Sequence, residues 1–319
     1  MFIIGPQPTL PPVYTNHMRR ILLVLLLLTP LRAETKVETP YLGITHITRT
    51  EDTPRKVSIH ILKIDLAAPG LAFKLTEPGG SRETIRQTTL AYLSQERAQA
   101  AINVHFFTPY PSPELDSFLI GYAAAQGKVI SAFEKPEQSY AIVTDAPAIA
   151  IDDGNRAAIV HRDPAFDDGL HILEAIKPWV AISGSAQVIT SGARTVPKYG
   201  EGELLTPGGP AGYSNERSWY DIPNARTLAA LTEDNLTLLL LTVDRAAGSL
   251  GLTVGEAADI LIADYGAYNG LNLDGGGSTT LAIEDPSTHE GKIVNTPSGE
   301  AAGRAVASNL AIFAKPVVQ

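Results

Sequence analysis

The chain has no cysteine in 319 residues. Disulfide frameworks, zinc ribbons, iron–sulfur clusters and thiol nucleophiles are all excluded, so any catalysis uses oxygen or nitrogen groups. Positive charge is also scarce: Lys and Arg total 25 against 34 Asp and Glu, a formal net charge of −9. No basic block can neutralise a phosphate backbone, and nucleic acid is not an expected partner. Long apolar runs are missing too. The most apolar one, Ile21 to Leu28, is far short of the roughly 20 residues that a membrane-spanning helix needs, so no stable membrane span is expected. What the chain does contain, 44% hydrophobic and 18% charged residues, suits a globular body with a sizeable core rather than a disordered, collagenous or coiled-coil chain.

The short apolar run follows Arg19 and Arg20, and Leu31-Arg32-Ala33 then supplies a small residue before polar sequence. This is the layout of a signal peptide over residues 1–33, with Met18 as a second candidate start. Cleavage after Ala33 removes three arginines and no acidic residue, taking the net charge from −9 to −12. The expected product is one domain over residues 34–319, secreted or periplasmic, stabilised by its core without disulfides.

Within that domain, Val57 to Ile64 alternates with period two, which puts Val57, Ile59 and Ile61 on one strand face and His60 on the other. Thr84 with Gln87 forms a candidate capping box for a helix reaching about Ala98, with Ile85, Thr89, Tyr92 and Leu93 as its apolar stripe. A strand over 101–104 follows. Asp153-Gly154 and Glu233-Asp234-Asn235 carry hairpin turn chemistry between apolar runs. Thr253-Val-Gly-Glu256 caps a second helix that ends at Gly266. Strands are expected over 270–274, 280–283 and 307–313, and the Gly/Pro-rich stretch 199–213 is expected as a long surface loop. Few helices and many strands in irregular order predict an α+β fold, a mixed and largely antiparallel sheet with a few helices packed on it.

The most unusual segment is Asn272-Leu273-Asp274-Gly275-Gly276-Gly277-Ser278. Three consecutive glycines after a buried strand are costly unless the backbone turns sharply or is closely approached. One reading is a nest of successive amides for an oxyanion, with Asp274 as a rigid carboxylate at its rim; the other is a glycine-rich hairpin turn. A Walker loop needs Lys where Gly277 stands, and the dinucleotide fingerprint needs a different glycine spacing.

These residues, with Arg226-Thr227 entering a strand pair that ends in Val243-Asp244, resemble the phosphodiester glycosidase family. Asn103-Val-His-Phe-Phe107 is similar to its Asn-Gly-Gly-Phe-Phe element, 121–131 to its strand and turn, and Glu300 to Asn309 to its closing Glu-Arg-x-x-x-Asn stretch. Val104 and His105 depart from the small pair of the first element, and three residues separate Glu300 from Arg304.

The resemblance implies a hydrolase acting on a glycosyl-phosphate-containing small molecule or polymer, cleaving the anomeric C–O bond through an oxocarbenium-like transition state. Such a reaction needs a carboxylate to activate water or attack C1, and cations or amides for the departing phosphate. Asp274 fits the first role, with Glu300 as a second carboxylate. Arg226 fits the second with the amides of Gly275, Gly276 and Gly277, and Arg304 is a second phosphate contact beside Ser278. Asn103, His105 and Asn272 are candidate substrate contacts. Each has a structural alternative: Arg226 as a salt-bridge partner, Asn103 as a turn residue, His105 as a packed histidine, and Glu300 with Arg304 as an exposed ion pair. Asp244 either orients Arg226, joins Asp274 in holding a divalent cation, or merely ends its strand. No cofactor is otherwise indicated, since His46, His60, His161, His171 and His289 lack ligand spacing. Two further functions stay open, a non-catalytic envelope glycan-binding or assembly protein and a phosphodiesterase that cleaves P–O.

Overall fold

The computed structural model describes residues 1, 2, 5, 33–133, 142–197 and 219–317. The chain divides into units 1–31 and 32–319, and the second carries all the elements discussed below. It is built from an eight-stranded sheet, two five-stranded sheets and a three-stranded one. Every strand pairing among the described residues is antiparallel. Only two α-helices are present among them, so the architecture lies closer to mainly-β than to the expected α+β, and the expected mixed sheet is not observed.

The strand Val57–Asp65 forms as its alternation predicts, with Val57, Ile59 and Ile61 in one apolar cluster and Leu62 and Ile64 in another. It is buried on both faces because it lies inside the eight-stranded sheet, between Ile44–Glu51 and Thr237–Val243. Both hairpins read from their turn residues are present: Ala148–Ile151 pairs with Ala157–Val160, and Arg226–Thr232 with Thr237–Val243.

The helix Val254–Tyr265 follows its sequence signals closely. Thr253 Oγ1 accepts from the Glu256 N–H (3.1 Å), Glu256 accepts from the Thr253 N–H (2.8 Å), and Gly266 closes the end in the left-handed conformation. Val254, Ala257, Ala258 and Leu261 are the face it buries on the eight-stranded sheet.

The other helix starts later than predicted. Thr84–Ile85 is a short strand paired with Asp116 and Ser117, and Gln87 bridges Val306, so strand pairing takes up the expected capping box. Thr88 caps instead, accepting from the Ala91 N–H at 3.2 Å, and the helix is Thr89–Glu96. Thr89, Tyr92 and Leu93 are buried as expected, but Ile85 is 46% exposed and belongs to no helical stripe. Three other strands shift slightly from their predicted bounds, to Ala267–Asn272, Leu281–Glu284 and Asn309–Phe313. Residues 199–213 lie outside the described residues.

Candidate active site

At the end of Ala267–Asn272 the chain passes from one sheet to another. The Leu273 N–H donates to the Thr227 carbonyl of the eight-stranded sheet (2.8 Å), whereas the Asp274 N–H donates to the Val104 carbonyl (2.9 Å), just beyond the strand Ala100–Asn103 of a five-stranded sheet. The side chain of Asp274 is thereby fixed at the seam between the two. Asn103 clamps the same point: its Nδ2 donates to the Asp274 carbonyl (2.6 Å), while its Oδ1 accepts from the Thr280 N–H (3.0 Å) and from Thr227 Oγ1 (3.1 Å).

The glycines then turn the chain back toward the strand Leu281–Glu284 through a short 3₁₀ segment, Gly276–Ser278. Gly276 has φ of 58°, and a Cβ on Gly277 would stand 2.8 Å from Cζ of Arg304. The second glycine therefore meets a backbone requirement and the third admits the Arg304 guanidinium. Two of the three glycine amides of the expected nest are committed within the fold. Gly276 N–H is donated to the Ala225 carbonyl (2.8 Å), Ser278 N–H to the Gly275 carbonyl (3.1 Å), and Gly275 N–H to the Asp274 carboxylate.

Asp274 borders two cavities. One, of about 270 Å³, runs along Gly275, Gly276 and Gly277 beneath Phe106, Trp219, Asn224 and Ser185. The other, of about 80 Å³, lies against Phe107, Ile120 and Ser278. Tyr110 and Arg304 line both, and both also line an outer cleft of about 560 Å³ that contains Glu300. The guanidinium of Arg304 lies over the Tyr110 ring, 4.6 Å from its centroid, and donates to Ser278 Oγ at 3.2 Å.

Only 8% of Asp274 is exposed, and burial pushes its carboxyl up to about 7, against the opposing effects of the Ser278 hydroxyl, the positive charge of Arg304 and the Gly275 N–H. The arrangement sets a desolvated carboxylate that changes charge near neutral pH beside a partly exposed cation, in a cavity walled by aromatic rings.

The other expected residues stand behind this wall. Arg226 is fully buried, and its guanidinium donates to the carbonyls of Leu252 (3.1 Å), Trp219 (2.8 Å) and Ile222. It also packs 4.4 Å from the centroid of the Trp219 ring. It is not among the described residues that line either Asp274 cavity, so the expected phosphate grip is not seen and the guanidinium instead braces the carbonyl and ring of Trp219.

Asn103 is buried with its amide committed to the clamp just described, and makes no wall for a sugar. His105 is buried as well. Its Nδ1 is hydrogen-bonded with Ser308 Oγ (2.8 Å), and its Nε2 lies within reach of both the Ser183 N–H (3.0 Å) and the Tyr122 carbonyl (3.3 Å). Burial lowers its pKa to about 4, and it lines neither Asp274 cavity, so the expected substrate contact is not seen. Asn272 reaches Ser185 Oγ (2.8 Å) from behind and is itself buried.

Glu300 is exposed in the outer cleft, away from both Asp274 cavities, and no ion pair joins it to Arg304 among the described residues. Asp244 shares neither cavity with Asp274. Its Oδ1 accepts from Asn295 Nδ2 (3.1 Å) and the Thr296 N–H (3.0 Å), and its Oδ2 faces His60 Nε2 at 3.6 Å. The alternative in which Asp244 and Asp274 hold a cation together is therefore not seen, and no cluster of three or more metal-ligating side chains occurs among the described residues. No helix among those residues is long and apolar enough to cross a membrane.

A larger cavity of about 720 Å³ lies elsewhere, over His46 and His60, but its charges are internally paired, Lys36 with Glu38 (2.8 Å) and Lys292 with Asp285 (3.0 Å). Size alone does not make it the reactive site. Sequence reading missed Ser185, Trp219, Asn224 and Tyr110. The one local signal for Ser185 is Gly184 before it, where a Cβ would stand 2.7 Å from the Asn272 carbonyl carbon.

The sequence model of the phosphodiester glycosidase family matches residues 96–313. No curated protein matches the chain. Among solved structures, the chain is similar to the catalytic domain of zebrafish N-acetylglucosamine-1-phosphodiester alpha-N-acetylglucosaminidase, auto-inhibited by its pro-peptide, with a TM-score of 0.57 and 20% identity over 89% of this chain and 88% of that one. A hypothetical protein from Synechocystis gives 0.58 and 14% over 89% and 68%. A protein from Burkholderia pseudomallei gives 0.53 and 17% over 83% and 75%. At these identities the structures establish a shared fold.

Proposed function

The chain belongs to the phosphodiester glycosidase family, and from that premise we propose that it is an exported hydrolase cleaving the glycosidic bond of a sugar 1-phosphodiester at the Asp274 cavity. The observation that carries this reading is the placement of Asp274 near Arg304: a buried carboxylate that borders the cavity, and a cation donating to the Ser278 hydroxyl that in turn bonds it. Phosphate is a good leaving group once its charge is held, so the C–O bond can break without a strong general acid. Asp274, the one carboxylate lining this cavity among the described residues, is then sufficient.

In this account, ionised Asp274 activates water or attacks the anomeric carbon, and Arg304 grips phosphate oxygens in a bidentate contact. Ser278 accepts from Arg304 and donates to Asp274, keeping the two groups in register. Trp219 and Phe106, edge to face with centroids 5.7 Å apart, offer an apolar wall for the sugar ring. Export rests on the signal-peptide layout of residues 1–33.

Hydrolysis of N-acetylglucosamine 1-(methyl phosphate) in oxygen-18 water separates the readings by mass spectrometry. The label is expected in the sugar hydroxyl at C1. Label in the phosphate would instead identify a phosphodiesterase, and binding with no product would identify a glycan-binding protein.

A further inference from the structure

Ser185 is 1% exposed on the wall of the 270 Å³ cavity, and its hydrogen bonds are closely determined. Its backbone is locked on both sides, the N–H donating to the Asn272 carbonyl (2.9 Å) and the carbonyl accepting from the Val143 N–H (2.7 Å). Its Oγ accepts from the Tyr220 hydroxyl (3.1 Å) and from Asn272 Nδ2 (2.8 Å). A hydroxyl has two lone pairs and one proton. With both lone pairs used, Ser185 has only its proton left to offer.

Asn224, on the same wall, is in a similar state. Its Oδ1 accepts from the Ala225 N–H (2.9 Å) and from Arg245 Nη1 (3.3 Å), while its Nδ2 is the atom nearest a Cβ position on Gly276, at 3.9 Å. Together with Arg304, Ser185 and Asn224 offer protons to the cavity and keep no free side-chain lone pairs.

We propose that Ser185 is a ligand-binding residue that, with the Asn224 amide beside it, donates to a ligand oxygen carrying no proton of its own. A sugar hydroxyl is the poorer match, since neither Ser185 nor Asn224 keeps a side-chain lone pair for its proton. In a sugar 1-phosphate the matching oxygens are phosphoryl oxygens and the carbonyl of an N-acyl substituent. The inference rests on the proposed function only for this choice of ligand.

The test is equilibrium binding by calorimetry, which needs no turnover. Inorganic phosphate, glucose 1-phosphate and N-acetylglucosamine 1-phosphate are titrated into the wild-type protein and into Ser185→Ala. A hydrogen bond lost to a charged or carbonyl oxygen corresponds to a weakening of about tenfold. All three ligands weaken together if the partner is phosphoryl oxygen; N-acetylglucosamine 1-phosphate alone weakens if it is the acyl carbonyl. Ser185→Thr, which keeps the hydroxyl, restores binding. Ser185→Cys, close in volume and a poor donor, repeats the loss should the alanine variant fail to fold. Unchanged affinity for all three ligands in the Ala or Cys variant, or no binding of any of them by the wild type, overturns the proposal. Ser185-dependent binding without hydrolysis of the diester would retain it and remove the hydrolase reading.

Discussion

Asp274→Asn is expected to lower turnover by about a thousandfold or more and, at the same time, to stabilise the folded protein above neutral pH. The first effect follows from removing the one carboxylate that lines the cavity among the described residues, since an amide neither accepts a proton nor attacks carbon. The second follows from the environment of the carboxyl. Burial raises its pKa from 3.8 to about 7. Between those values the folded protein holds a proton that the unfolded chain has released, so stability falls as pH rises through the interval, and the loss is complete above about 7. The amide never ionises and escapes that loss. Its advantage is near zero at pH 4 and on the order of 2 kcal/mol at pH 8, after allowance for relaxation around a buried charge. Thermal unfolding of both proteins at pH 5 and pH 8, alongside product release, measures the two effects together. An Asn variant that is inactive but no more stable at pH 8 would mean that the carboxylate is better solvated than its burial implies.

Arg304→Ala is expected to reduce kcat/KM by about a hundredfold, the scale on which removal of one preorganised donor slows an anionic transition state. It should also move the acid limb of the pH profile upward. Arg304 favours the ionised form of Asp274, so without it the carboxyl holds its proton to higher pH. Arg226→Lys provides the contrast. Lysine cannot reproduce the fork that binds three carbonyls under Trp219, so this variant should lose stability and weaken binding through a loosened Trp219, with the acid limb unmoved. Rate measurements across pH for both variants test the assignment. An acid limb shifted by Arg226→Lys and not by Arg304→Ala would return the phosphate contact to Arg226.

The difference between these two arginines shows what the sequence could express. Signals that act locally were legible: the capping box at Thr253, the hairpin turns, and the cost of three glycines after a strand, which drew attention to Asp274. Where two uses of the same residues compete, local signals fail. Thr84 and Gln87 have the spacing of a cap, but pairing with Ser117 and Val306 takes them first, and Thr88 inherits the role. Residue type and proximity likewise do not reveal side-chain direction. Asn103, His105 and Arg226 all lie close to the Asp274 turn in the fold, yet each points away from the cavity and supports it from behind. The cavity wall itself is discontinuous in sequence. Ser185 arrives from the segment after Val180–Ser183, Trp219 from a 3₁₀ turn, and Tyr110 from the stretch after Phe107–Thr108; only the order of strands in the sheets brings them together. Arg304 was legible as a cation near the end of the chain. Its entry into the site depends on the bare Gly277, which becomes apparent only when the two are seen in contact.

The most direct measurement is the pH dependence of kcat/KM for hydrolysis of a sugar 1-phosphodiester by the wild-type protein between pH 4 and 9. If buried Asp274 must be ionised to act, the rate rises tenfold per pH unit on the acid side and levels off with a midpoint near 7. A profile already flat at pH 5 would contradict the account, because the reaction would then depend on an ordinary solvated carboxylate or on none.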